Sequence, residues 1–125
     1  MRLSLSNRTI SVLTDIEHGH EFRNVLRESE QRPVLLYKHS AVCGLSTMAE
    51  REILRLSERS DVGLYRVVVQ KARWLSRVVE RFFRVRHESP QAILIYERRA
   101  IFNASHRGIR WENVEEVLSG LGGTP

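Results

Sequence analysis

The chain has 125 residues, which fits one domain long enough to bury a substantial core without disulfide or metal staples. A hydrophobic fraction of 42% and a charged fraction of 28% describe an ordinary soluble globular protein, and no apolar run approaches the roughly 18 residues of a membrane span. Twenty Lys and Arg against fifteen Asp and Glu leave a net charge of +5, which favours anionic company without naming it; a single cysteine excludes both an internal disulfide and a cysteine-rich zinc site.

The opening MRLSLSNRTI lacks the continuous apolar centre of a signal peptide, so the expected location is the cytoplasm, a reducing compartment that suits a lone thiol. A short strand is expected near Ile10 to Leu13. After Asp15, the run IEHGHEFRNVLRES sets Ile16, Phe22, Val25 and Leu26 on one face of a helix whose beginning Gly19 weakens. PVLLY then reads as a short strand buried on both faces, as parallel strands under helices are. From Leu45 the spacing changes: Leu45, Met48, Ala49, Ile53 and Leu56 recur at three and four residues, with Glu50, Arg51, Arg55 and Glu58 opposite, which predicts an amphipathic helix.

VGLYRVVV, rich in β-branched residues, is the next strand. KARWLSRVVERFFRV returns to helical spacing, with Trp74, Val78, Phe82 and Val85 as its apolar face and Arg73, Arg77, Arg81 and Arg84 as its polar one. Pro90 begins the strand PQAILIY, which the polar ERR joins to AIFNAS in a β-hairpin. A last helix, RWENVEEVLSG, contributes Trp111, Val114, Val117 and Leu118, and residues 119–125 form a glycine-rich tail suited to fraying. The order implies one α/β domain: a mixed sheet of four or five strands with a parallel core and an antiparallel C-terminal hairpin, flanked by helices. No repeat, low-complexity segment or linker divides it.

In this order Cys43 falls just past the carboxyl end of a central strand and beside the first turn of the following helix. Free backbone N–H groups and the positive end of the helix dipole favour thiolate over thiol there, and thiolate is the nucleophile of disulfide exchange. Lys38 and His39 stand close in sequence and add positive potential. A free cysteine is more often an inert, buried filler. Against that reading, Ala41, Gly44, Ser46 and Thr47 keep the surroundings small enough for another sulfur to approach, and the site begins the helix instead of lying in its apolar stripe. Cys43-Gly44-Leu45-Ser46 has the spacing of a dithiol redox motif with serine as its second member. Ser46 can donate a hydrogen bond to the thiolate but cannot close a disulfide, so a mixed disulfide at Cys43 has no neighbouring thiol to resolve it.

Three stretches together resemble the thioredoxin-like monothiol proteins of the bacillithiol system, the YtxJ-like or bacilliredoxin C family: LLYKHSAVCGLSTMA (Leu35 to Ala49), VRHESPQAILI (Val85 to Ile95) and AIFNASHRGI (Ala100 to Ile109). The resemblance implies a thioredoxin-like fold in which the first stretch carries the active Cys43 and Ser46. The second carries a cis-proline loop, Ser89 and Pro90, that shapes the surface receiving the client disulfide, and the third carries the pair Ser105 and His106. Gly44 and Leu45 stand where that family commonly has proline and a β-branched residue, and Arg107 where it often has an aromatic. The implied activity is monothiol oxidoreduction. Cys43 takes a small thiol, bacillithiol or similar, from a mixed disulfide on a client protein, and an external thiol or reductase regenerates it. No bound cofactor is implied.

Two other classes compete. The arginine stripe can contact phosphates, which would make the domain a basic nucleic-acid-binding module, although a solvated helix face is the commoner origin of such a stripe. A redox-inert interaction domain on the same scaffold is the other, because fold alone does not fix activity. His18 and His20 form an H-x-H pair without the spaced partners of a metal site. His39 has two readings, raising the potential at the site or hydrogen-bonding the turn. Trp74 and Trp111 are assigned to the core.

Overall fold

The computed structural model describes residues 12–122. Its elements follow the expected order: β1 (Leu13–Asp15), α1 (Gly19–Glu28), β2 (Val34–His39), α2 (Gly44–Leu54), β3 (Gly63–Val68), α3 (Arg73–Phe83), β4 (Gln91–Tyr96), β5 (Arg99–Ser105) and α4 (Trp111–Gly122). Short 3-10 turns, Arg55–Glu58 and His106–Gly108, follow α2 and β5. The five strands form one sheet in the order β1-β3-β2-β4-β5. The first three are mutually parallel, and β4 and β5 run antiparallel as a hairpin at the far edge.

Alternation along the central strands sorts their side chains into two apolar layers. Val34 and Leu36 of β2 join Ile93 and Ile95 of β4 under α1 and α3, where Phe22, Val25, Leu75 and Val79 cover them. Leu35 and Tyr37 join Ala92 and Leu94 on the other side, under Ala49, Ile53, Val114 and Leu118 of α2 and α4. Every residue from Val34 to Lys38 is buried, which is why this run is almost continuously apolar instead of alternating. Truncating Leu36 or Leu94 to Ala, both fully buried, costs about 2–5 kcal/mol.

Some expectations shift. The first strand lies at Leu13–Asp15, and Ile10 and Ser11 lie outside the described residues. Helix α4 continues to Gly122, so residues 119–122, expected in the tail, are helical. The larger correction concerns α3. Its buried residues are Leu75, Ser76 and Val79, whereas Trp74 is 66% and Phe82 47% exposed. The inward stripe of α3 is thus rotated by about one residue from the expected one: Leu75 and Val79 enter the core, and of the expected four only Val78 and Val85 pack against it. Trp74 instead lies across the start of α1, where a Cβ built on Gly19 would come within 3.5 Å of its ring. Phe82 meets Phe22 and Phe83 edge-on at the rim of the core. In α2, likewise, Met48 is 61% exposed although the spacing placed it inward.

The hairpin turn contains two non-glycine residues in the left-handed region, Glu97 and Arg98, with φ of 52° and 66°. Tyr96 and Arg99 pair across it, so it is a two-residue turn of the kind that twists with the strands. Residues after α1 hold it: Ser29 O accepts the Glu97 amide at 2.8 Å, and Ser29 Oγ accepts the Arg98 amide at 3.1 Å.

Candidate active site

β2 delivers the chain to a four-residue bend, Ser40 to Cys43, and α2 begins immediately after it. Cys43 is the N-cap of α2, with extended backbone (φ −104°, ψ 122°), and the Ser46 amide donates to its carbonyl at 3.0 Å. The bend is tied down by side chains that short-range patterns did not reveal. Gln70, after β3, accepts the Ala41 amide at 3.0 Å and donates to Ser40 Oγ at 3.0 Å. Ser46 is fully buried, and its Oγ accepts the Ser40 amide at 3.1 Å, fastening the first turn of α2 to the end of β2.

The surroundings of the sulfur residue are open. Cys43 is half-buried, Ala41 and Gly44 are exposed, and Val42 is 84% exposed. A Cβ on Gly44 would meet nothing within 4 Å. The N-terminus of α2 has no side-chain cap and no acidic residue in its first turn, so nothing local opposes the positive end of its dipole. The expected strand-to-helix position of the thiol is therefore present.

The Ser89–Pro90 peptide is cis. The β2–β4 register pairs Lys38 with Gln91, which brings Pro90, one residue earlier, to the same end of the sheet as the bend. Pro90 is buried and Ser89 half-buried. The Pro90 carbonyl accepts the His106 amide at 3.0 Å, and the His106 ring pairs with Glu88 at 3.2 Å, so the turn after β5 closes onto the proline loop. Between that turn and α2 runs a groove of about 300 Å³, lined among others by Leu45, Met48, Ala49, His106 and Ile109. It begins two residues from Cys43.

Lys38 and His39 were expected to charge this site, and each does something else. The Lys38 side chain is fully buried on the opposite face of the sheet, where Nζ donates to Ser76 O at 3.3 Å and meets His87 Nδ1 at 3.1 Å. Strand alternation sends it there: Tyr37, its neighbour, takes the α2 face. The His39 ring bonds neither the thiol nor the turn: its Nδ1 lies 3.1 Å from Tyr37 Oη and 3.3 Å from Glu50 Oε1. Burial holds its pKa below the usual histidine range, with Glu50 opposing. Tyr37, passed over as one more core residue, is the structural link. Its hydroxyl donates to Ser46 O at 2.8 Å, and burial pushes its phenol pKa well up. A buried tyrosine in an aliphatic run needs a partner for its hydroxyl, and that was the available signal. Glu50 continues the chain by accepting from Arg66 Nη1 at 2.8 Å, and Arg66 donates through Nε and Nη2 to the two carboxylate oxygens of Asp15 in β1.

The His18 and His20 rings stack 5.6 Å apart at the exposed start of α1, and no group of three metal-ligating side chains occurs among the described residues. Trp111 is half-buried under the Arg55 guanidinium, 4.8 Å from its ring.

Solved structures with the same architecture include a thioredoxin-fold protein described as a candidate oxidoreductase, 24% identical over 92% of this chain and 97% of its own, with a TM-score of 0.76. The thioredoxin of Trypanosoma brucei brucei is 16% identical over 99% and 100% of the two chains (TM-score 0.74), and spinach chloroplast thioredoxin f is 15% identical over 90% and 95% (TM-score 0.70). At such identities the likeness shows the thioredoxin fold. The sequence profile described as "Monothiol bacilliredoxin BrxC" matches residues 14–114, which include the bend, the proline loop and the turn after β5. This chain belongs to the monothiol bacilliredoxin BrxC family and is a thioredoxin-fold redox protein.

Proposed function

We propose that the protein is a cytoplasmic monothiol oxidoreductase that removes a small thiol, bacillithiol or a similar molecule, from mixed disulfides on client proteins. The reading rests above all on one observation: the only cysteine of the chain caps the N-terminus of α2, half-exposed, with a buried serine where a resolving cysteine would stand. The Cys43 thiolate attacks the small-thiol sulfur of the mixed disulfide. That S–S bond breaks as the new one forms, the client sulfur leaves as thiolate and takes a proton from water, and Cys43 carries the small thiol. An external thiol or reductase then supplies the two electrons that free Cys43. The groove beside Cys43 and the Ser89–Pro90 loop receive the client chain.

Intact mass after exposure to the disulfide of a small thiol tests the reading. The wild type gains the mass of one thiol and passes it on to a second thiol, whereas Cys43→Ser gains none. A wild type that stays unmodified under conditions that thiolate free cysteine would leave only a scaffold.

A further inference from the structure

A second polar centre lies on the α1/α3 side of the sheet, away from the groove. There α3 and the segment leading into β4 enclose a recess of about 220 Å³ lined by Val69, Arg73, Ser76, Arg77, Glu80 and His87. Four features of it have no internal explanation. Ser76 is 97% buried, at 3% exposure, and its Oγ is the one fully buried side-chain polar atom among the described residues without a hydrogen-bond partner. Directly behind the wall, the buried Lys38 amine holds Ser76 O and His87 Nδ1, two neutral acceptors, and no carboxylate among the described residues makes an ion pair with it. At the rim, Arg73 and Arg77 are exposed and form no ion pair with any described residue. The 11-residue α3 also starts at this recess, at Arg73, with neither a side-chain cap nor an acidic residue in its first turn.

Each of these features lacks the same complement. An unpaired hydroxyl wants an acceptor, a buried ammonium and two free guanidiniums want negative charge, and an uncapped helix N-terminus offers free N–H groups and a positive dipole end. We propose that this recess binds a small oxyanion, the carboxylate or phosphate group of a molecule that fits about 220 Å³. Its oxygens accept from the two arginines at the rim and, once the buried Ser76 hydroxyl turns toward the recess, from Ser76 Oγ, with Lys38 as the buried counter-charge. Glu80, the single acid of the lining, has its carboxylate engaged by the His87 amide, which donates to it at 2.9 Å.

The recess also touches the active-site bend. The Val69 amide donates to His39 O at 2.9 Å, and the next residue, Gln70, holds Ser40 and Ala41. The proposal is nonetheless independent of what Cys43 does.

Proton linkage gives binding a signature. Burial lowers the Lys38 pKa to about 8, with Glu80 opposing, and holds the His87 pKa below its usual range, where Lys38 also lowers it and Glu80 and Glu88 raise it. A bound anion supplies the missing counter-charge and returns the amine pKa upward, so affinity is highest below about 8 and falls by roughly tenfold per pH unit above it.

The test titrates inorganic phosphate and, separately, succinate into the full chain, followed by amide NMR shifts and by melting temperature at constant ionic strength. The expected result is saturable binding centred on residues 73–77 and His87 and weakening above about pH 8. Ser76→Ala and Arg77→Gln each reduce affinity about fivefold, as loss of one hydrogen bond or contact does, and Lys38→Met reduces it further. Phosphate alone, succinate alone or both in saturating response identifies the group. No saturable response to either at tens of millimolar, or a response identical in wild type, Ser76→Ala and Arg77→Gln, overturns the proposal. Both of these variants change one small or exposed group and leave the fold intact, so a loss of binding in them reads the site.

Discussion

Tyr37 and Lys38 are neighbours on one strand, both fully buried, and each reaches a backbone carbonyl of the helix on its own face. There the likeness ends. Tyr37 is neutral, and its hydroxyl enters a network that runs through His39 and Glu50 to Arg66 and Asp15. Lys38 is a cation that has found only neutral acceptors. The helices repeat the contrast: the buried Ser46 of α2 has a partner for its hydroxyl, and the buried Ser76 of α3 has none. A fully satisfied polar network rigidifies what it touches, and on the α2 side it touches the turn that carries Cys43. The α3 side keeps donors and charge in reserve, which is the condition of a site awaiting a ligand.

Replacing Lys38 breaks the contrast most strongly. Its folded pKa of about 8 lies below the roughly 10.4 of an unfolded lysine, so the unfolded chain binds more protons between those values. Stability therefore rises as pH climbs from about 8 towards the unfolded value. Above about 10 the phenols work in the opposite sense. Burial and the bond to Glu28 raise Tyr65 to about 12, and Tyr37 is raised further, so neutral-phenol stability is lost as they ionise. Lys38→Met removes the rise specific to the amine. In anion-free buffer near pH 7 it is more stable than wild type by about 2 kcal/mol, because an apolar side chain replaces a buried charge that makes no ion pair with any described carboxylate. Denaturant unfolding of both chains near pH 7 and pH 9 reads the difference; parallel pH profiles would assign the rise to another group.

On the satisfied side the same kind of change has the opposite sign. Ser46→Ala leaves the buried Ser40 amide without its acceptor, which costs about 1–2 kcal/mol, and Tyr37→Phe removes the bond to Ser46 O at about 1 kcal/mol. Both loosen the first turn of α2, so S-thiolation at Cys43 slows along with the drop in the unfolding midpoint. A midpoint that falls while the thiolation rate stays at the wild-type value would separate the network from the chemistry.

This contrast was only half legible in the sequence. Apolar periodicity and β-branched runs placed every helix and every strand within a few residues, because those signals come from each segment's own burial. Cys43 was legible too, since a lone thiol at a strand-to-helix junction is a local feature, whereas the proline loop was legible only through the family resemblance, because Pro90 by itself reads as the start of a strand. What α3 buries was not: Trp74 and Phe82 form as regular a stripe as Leu75 and Val79, and only the packing of Val67 and Leu36 beneath decides which stripe turns inward. Nor was the direction of Lys38, because a lysine ending an apolar strand reads as exposed until a helix is laid across it. Gln70 reaches the bend from 29 residues away, a separation that no local pattern reports.

The smallest expected effect sharpens the contrast most cleanly. Ser76→Ala deletes a hydroxyl that has no partner and is fully enclosed, so the gain from removing an unsatisfied polar group outweighs the dispersion lost with one oxygen atom. In a buffer free of phosphate and carboxylates the variant is more stable by about 0.5 kcal/mol, the opposite of Ser46→Ala. Added phosphate then stabilises the wild type more than the variant, because the hydroxyl that was a liability has become a donor to the ligand. Thermal unfolding in the two buffers measures both signs with one pair of proteins. If Ser76→Ala were less stable in the anion-free buffer, its hydroxyl would already have a partner and the two faces of the sheet would be alike after all.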